Sequence, residues 1–193
     1  YIKSCGLLIV DVQNDFTHGS LAVPAALEII PKINDLIARA RTNSVPVLAS
    51  RDWHPADHSS FSDFGGQWPA HCVAGTAGAE LNSDLNLDKI DVIFDKGCDR
   101  ANEQYSALQA VDKISGLSLQ QYLQQNNINN LIVCGLALDF CVYHSVAEAQ
   151  ELGVNCELVL EACRGINAAA IAKVLRQIQD LGALVSNESQ ILA

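Results

Sequence analysis

Cys141 stands where an apolar run, 131–134, passes through the turn Gly135-Leu136-Ala137 into residues with helical spacing. A thiol at the start of a helix feels the positive end of the dipole, which favours the thiolate and so a nucleophile. Taken alone, such a cysteine is better explained as a small packing residue. Asp11, Asp52 and Lys96 change that weighing, because each ends an apolar run of its own. A carboxylate beside a thiol can take its proton, and a nearby lysine favours the negative charge left on the pair. This is the chemistry of a cysteine acyl-transfer nucleophile. The backbone N–H groups of the turn 135–138 suit an oxyanion hole.

A second group runs from Asp52 through His54 and His58 to Trp68 and His71. In an extended segment, residues two apart share a side, so Asp52 and His54 can meet one ion. A loop can then return His71 to complete three protein ligands. Two imidazoles and a carboxylate with open positions suit a divalent transition metal, and zinc, iron and manganese all fit. His58 is the weakest member, since Asp57 and Ser59 beside it also suit the start of a turn or helix.

These side chains need a frame that brings them together. Apolar runs of strand type lie at 7–12, 45–50, 90–94, 131–134, 154–160 and 183–185, with helical spacing at 25–42, 117–125, 140–152 and 167–181. Alternation of strand and helix predicts an α/β fold: a three-layer, doubly wound, mostly parallel sheet of about six strands, helices on both faces. In such sheets the ligand crevice lies beyond the carboxyl ends of the strands, which is where Asp11, Asp52, Lys96 and Cys141 fall. The stretch at about 53–87 breaks the rhythm and is rich in Gly, Ser, His, Pro and aromatic residues. An irregular insert of that length is usually functional. No repeat or linker divides the chain, so residues 1–193 read as one domain carrying this insert.

Composition narrows the function classes. A chain of 193 residues with 49% hydrophobic residues suffices for one well-buried domain. The formal charge of −10 argues against nucleic acid or an anionic membrane surface as a partner. A small neutral ligand escapes that objection. Seven cysteines, several within apolar runs, do not form a disulfide framework, which points to a reducing, cytoplasmic setting. No long apolar segment or cleavage pattern suggests a membrane span or export signal. Self-association is left open.

The motifs in order are Asp11-Val-Gln-Asn-Asp-Phe16, Asp52-Trp-His-Pro-Ala-Asp-His58, Trp68-Pro-Ala-His-Cys-Val73, Asp95-Lys-Gly97, Tyr105-Ser-Ala107 and Gly135-Leu-Ala-Leu-Asp-Phe-Cys-Val142. Together they resemble the nicotinamidase/pyrazinamidase group of the isochorismatase-like cysteine hydrolases, over nearly the whole chain. The resemblance implies Asp11, Lys96 and Cys141 as catalytic residues and Asp52, His54 and His71 as metal ligands. It makes His58 an occasional additional ligand or a residue behind the ligands. It also implies an aromatic surround for the substrate from Phe16, Trp68 and Tyr105. A cis peptide between Leu136 and Ala137 would turn the N–H groups of Ala137 and Cys141 into the oxyanion hole. The implied reaction is deamidation of nicotinamide to nicotinate and ammonia, with one divalent metal ion and no organic cofactor. Two positions depart from the usual pattern: Leu138 where Thr is common, and Gln104 where Ser commonly precedes the tyrosine.

Two other readings stay open on the residues. A carbamoyl or ureido amidohydrolase of the same family would keep Asp11, Lys96 and Cys141 but would not need the metal set. A signalling receiver domain shares an acid after the first strand, an Asp near position 52 and a Lys near position 96. It has no use for the histidines or for the thiol.

Overall fold

The structure is a computed structural model and describes residues 4–192. Six strands form its sheet: β1 Cys5–Val10, β2 Val47–Asp52, β3 Val92–Lys96, β4 Asn130–Leu136, β5 Asn155–Arg164 and β6 Leu184–Ser186. Every residue of β1 and β4 is buried, which requires cover on both faces of the sheet. Apolar runs such as Leu7-Leu-Ile-Val10 suit that position, whereas alternating patterns would leave one face wet. All neighbouring strands are parallel, in the order β3-β2-β1-β4-β5-β6. The chain builds outward from β1 to β3, then returns to the other side of β1 for β4. That reversal splays the connections after β1 and β4 apart and opens a crevice at their carboxyl ends.

The helices are α1 Asn14–Thr17, α2 Ile30–Thr42, α3 Leu119–Gln125, α4 Tyr143–Glu151 and α5 Ala168–Asp180. In α2 the buried residues Ile30, Ile33, Leu36, Ile37 and Ala40 keep the spacing of one helical stripe, which packs on β1, β2 and β5. Pro31 in its first turn and Arg39 and Arg41 in its last suit the two ends of a helix. Ser118 and Gln121 close a reciprocal capping box at the start of α3.

The elements differ from the sequence expectation at their edges. The helical spacing at 25–42 resolves into a 3₁₀ turn, Ala26–Ile29, followed by α2. The spacing at 140–152 resolves into a π-helical turn, Leu138–Val142, followed by α4. Strand β5 outlasts its expected end at 160 because its pairing with β4 shifts register between Val133 and Gly135, and Ala162 and Cys163 stay buried beyond the shift. The short helix α1 has no sequence signal above its polar residues. The insert at about 53–87 contains the 3₁₀ turns Ser62–Phe64 and Ala77–Ala79, the start of a third at Leu87–Lys89, and isolated bridges between His54 and Val73 and between Phe61 and Trp68.

Gly135 sits between β1 and the nucleophile turn with φ 120, and a Cβ there would stand 2.2 Å from the Val10 carbonyl oxygen. Gly135→Ala is therefore expected to destabilise the fold by more than about 1 kcal/mol. The measurement is the urea midpoint, and an unchanged midpoint would mean that the backbone tolerates the methyl group.

Candidate active site

Asp11 follows β1 with φ 50, a left-handed geometry that aspartate tolerates better than bulkier residues, and its side chain is fully buried. Ser50 on the neighbouring strand donates to Asp11 Oδ1 at 2.8 Å. Lys96 and Asp52 close β3 and β2 as register partners, so their side chains leave the sheet on the same face. The Lys96 ammonium, 1% exposed, lies 2.9 Å from Asp11 Oδ2 and donates to Asp52 Oδ1. It also donates to the Gln104 carbonyl at 3.1 Å and to Cys141 Sγ at 3.3 Å. The acid, cation and thiol expected from three strand ends thus meet around one nitrogen.

Burial alone would pull the Lys96 ammonium down, but Asp11 and Asp52 outweigh it and hold the lysine well above its ordinary range. Burial pushes Asp52 up, yet Lys96 and then His54 overcome it, so Asp52 titrates well below the usual carboxylate range. For Asp11 the balance reverses: burial dominates, the charge of Asp52 adds to it, and Lys96 only partly offsets them, so its affinity for a proton rises. Cys141 is likewise pushed up by burial, which Lys96 only partly offsets. A thiol that holds its proton more tightly than usual thus lies near a carboxylate whose affinity for a proton is also raised. Asp11 Oδ2 is buried, with the Lys96 ammonium 2.9 Å away as its charge partner. That oxygen is the natural acceptor for the thiol proton.

Cys141 belongs to the π-helical turn and not to the first turn of α4. The Leu136–Ala137 peptide is cis, and the Ala137 carbonyl accepts from the N–H groups of Phe140 at 3.0 Å and Val142 at 3.1 Å. Ser145 donates to the Cys141 carbonyl at 2.6 Å and accepts from the Ala107 N–H at 2.9 Å, which ties α4 to the loop carrying Tyr105. Leu138 is buried in the core and stays out of the pocket wall.

On the other side of Asp52 stand two imidazoles. His54 Nδ1 donates to the Gly97 carbonyl and His71 Nδ1 to the Pro69 carbonyl, each at 2.8 Å, so both rings carry their proton on Nδ1. Both Nε2 atoms then face Asp52 Oδ2, at 3.4 Å from His54 and 3.9 Å from His71. Burial lowers the proton affinity of His71, whereas for His54 the Asp52 carboxylate outweighs burial and raises it. His54 Nε2 is buried without a hydrogen bond, and one donor atom from each of the three residues lies within 4.8 Å of the others. Two imidazole nitrogens drawn toward one carboxylate oxygen fit a divalent cation, which would take the place of a proton there, and the carbonyls behind the rings are the support such ligands require. Asp11, Asp52 and Cys141 are equally close, but there the Lys96 ammonium already supplies the positive charge.

His58 stays outside this group. It stacks on His54 with ring centroids 4.0 Å apart, and both its nitrogens are engaged, Nδ1 with Ser60 Oγ at 2.7 Å and Nε2 with the Asn102 carbonyl at 3.1 Å. Ligation by His58, held open in the sequence, does not match this geometry.

The ligand geometry is set by residues whose roles the sequence did not disclose. Gln13 accepts from the Asp52 N–H and donates to the carbonyls of Asp52 and Ala79, all at 2.8 Å, which fixes the backbone of Asp52 from both sides. Asp15 accepts from the Cys72 N–H at 2.7 Å, and His54 and Val73 form a parallel bridge. These contacts hold the loop that returns His71.

One pocket connects the two halves. Phe16, Trp68 and Tyr105 line it as expected, together with His71, Ala137 and Cys141. Leu21, Glu103, Phe140 and Ile166 also line it and carried no distinguishing signal beyond their apolar or acidic character. Trp68 Nε1 donates to the Tyr105 hydroxyl at 3.2 Å, and Trp68 meets Phe140 edge to face at 5.0 Å. The pocket therefore meets the buried thiol together with Asp52 and His71 of the cation-fitting trio, within a largely aromatic and aliphatic wall.

The chain is similar to known proteins over most of its length. The isochorismatase domain model matches residues 5–190. A nicotinamidase of Acinetobacter baylyi is 36% identical over 182 residues, covering 86% of this chain and 83% of that protein. The crystal structure of PnC1 from L. infantum in complex with nicotinate superposes with a TM-score of 0.87 at 31% identity, covering 96% of this chain and 93% of that one. The pyrazinamidase of Pyrococcus horikoshii in complex with zinc gives 0.85 at 33% identity, covering 95% and 98%. The receiver alternative finds no footing, since Asp52 is buried against Lys96 and the histidines.

Lys96→Met leaves two buried carboxylates without their shared cation, a loss of about 3–5 kcal/mol for a broken buried pair. Urea unfolding of the chelator-treated variant should show that loss, and a midpoint equal to the parent's would mean that Lys96 is not the compensating charge.

Proposed function

Because this chain belongs to the isochorismatase domain family, we propose that it is a metal-dependent nicotinamidase with Asp11, Lys96 and Cys141 as its catalytic residues. The carrying observation is the Lys96 ammonium between Asp11 Oδ2, at 2.9 Å, and the buried Cys141 thiol, at 3.3 Å, with Cys141 lining an aromatic-walled pocket. The relatives that deamidate nicotinamide, and the neighbour with nicotinate bound, support the substrate. Pyrazinamide, a ring of the same size with the same carboxamide, is taken as well, as the neighbour named a pyrazinamidase suggests.

Asp11 Oδ2 takes the Cys141 proton, and the thiolate attacks the carboxamide carbon to form a C–S bond. The oxygen that becomes anionic is met by the N–H groups of Ala137 and Cys141. Asp11 returns the proton to the nitrogen, the C–N bond breaks, and ammonia leaves a thioester on Cys141. Asp11 then draws a proton from water, whose oxygen attacks the thioester carbon and releases the acid and the thiol. Lys96, within reach of both Asp11 Oδ2 at 2.9 Å and Cys141 Sγ at 3.3 Å, stabilises the negative charge as it passes from the carboxylate to the sulfur. Phe16, Trp68 and Tyr105 hold the ring so that the carboxamide faces Sγ, a positioning effect that removes several kcal/mol from the barrier.

Asp52, His54 and His71 hold one divalent ion, for which zinc, iron and manganese all suit the donor set. When bound, the ion supplies Lewis acidity that orients a heteroaromatic ring and draws charge from it. The zinc-bound neighbour supports this assignment. The chain acts as one domain, in the cytoplasm, on a free small molecule, and needs no organic cofactor.

Cys141→Ala should reduce ammonia release from nicotinamide by about 10³-fold or more while metal content stays at the parent level. Sustained ammonia release would remove Cys141 as nucleophile. His71→Ala should lower bound metal and raise KM for nicotinamide. Elemental analysis decides this, and parental metal content would show that the ligand set is wrong.

A further inference from the structure

Gln104 reaches the site from a loop between β3 and α3. Its backbone carbonyl accepts from Lys96 Nζ at 3.1 Å, and its side-chain Oε1 accepts from the Gly97 N–H at 3.1 Å. The Gly97 carbonyl in turn accepts from His54 Nδ1 at 2.8 Å. One residue therefore grips both the buried cation and the N–H of the glycine whose carbonyl orients a histidine of the trio.

The grip answers a local problem. Gly97 has φ 62, and a Cβ there would stand 2.3 Å from the His54 ring, so packing admits only glycine. Glycine is the residue least able to fix its own conformation, so the direction of its carbonyl must be imposed from outside. The Trp53 N–H holds the Lys96 carbonyl at 2.9 Å on one side of the peptide joining 96 and 97. Gln104 Oε1 holds the N–H on the other side. Gln104 Nε2 is buried and has no hydrogen-bond partner among the described residues. A hydrocarbon side chain of the same length would fill the space without leaving a donor unmet. What the amide supplies instead is the oxygen on Gly97.

We propose that Gln104 is a positioning residue for metal binding, acting through Gly97 on His54. The inference rests on the reading of Asp52, His54 and His71 as ligands. Loss of an outer hydrogen bond behind a ligating histidine typically weakens metal affinity by about 10–100-fold.

The test is Zn²⁺ affinity of the metal-stripped full chain, measured by competition with a chromophoric chelator, with circular dichroism as a check on folding. Gln104→Met keeps the bulk and removes the acceptor, and should bind Zn²⁺ about tenfold more weakly. Gln104→Ala, which adds no bulk, should show the same loss and replaces it if the methionine variant does not fold. Gln104→Glu retains an oxygen for the Gly97 N–H and should bind at least as tightly as the parent. An affinity within about twofold of the parent for a folded variant lacking the acceptor overturns the role, as does a loss in Gln104→Glu equal to that of Gln104→Met. A parent protein that takes up no Zn²⁺ overturns the ligand reading itself, and this inference with it.

Discussion

The structure depends on one ammonium group buried between two carboxylates. Removing an amine and two acids from water is costly, and the cost is recovered only when each charge meets its partner at contact distance. Lys96 meets both, because β3 and β2 set Lys96 opposite Asp52 and β1 brings Asp11 up beside them. Such an arrangement tolerates little displacement, which is why it is built on the buried ends of neighbouring strands and not on loops. The same burial that raises the stakes also gives Asp11 its basicity, since the acid next to the thiol is the one Lys96 neutralises least completely.

Around that centre, rigid and adaptable parts divide the work. The strand ends hold the charges, while the aromatic wall comes from α1, the irregular segment with Trp68, the loop with Tyr105 and the π-helical turn with Phe140. Loops can form a well-defined wall here because polar side chains fasten them: Gln13 to the backbone of Asp52, Asp15 to Cys72, Ser145 to both Cys141 and Ala107. Asp139 adds a further tie by accepting from the N–H groups of Ile166 at 2.9 Å and Asn167 at 2.8 Å, joining the nucleophile turn to the start of α5. The isochorismatase family relationship describes the whole assembly, not a single motif within it.

Much of this was legible in the order of residues. A run such as Leu7-Leu-Ile-Val10 that stops on Asp11 announces both a buried strand and a charge at its end, and the same holds for the runs before Asp52 and Lys96. The three histidines were conspicuous for the opposite reason, since a loop needs none of them. What could not be read was anything decided by closure of the loops. Phe140 and Ile166 look like core residues until the turn and β5 bring them to the pocket. His58 has the spacing of a ligand, and only the bonds to Ser60 and Asn102 show its nitrogens to be engaged elsewhere. The π-helical turn has the same apolar spacing as an α-helical one, so position alone could not show that Cys141 precedes α4.

Asp52 presents one oxygen to each half of the site: Oδ1 to Lys96, Oδ2 to the imidazoles. The two oxygens share a single negative charge, so charge drawn toward one is withdrawn from the other. An ion held by the histidines therefore changes how much of the ammonium's field is left for Asp11 and Cys141. By thermodynamic reciprocity, any ligand that binds the thiolate must alter the ion's affinity by the factor with which the ion alters its own. The carboxylate is thus a coupling element, through which the affinity for an ion at the histidines and the affinity for a ligand at the thiol shift together.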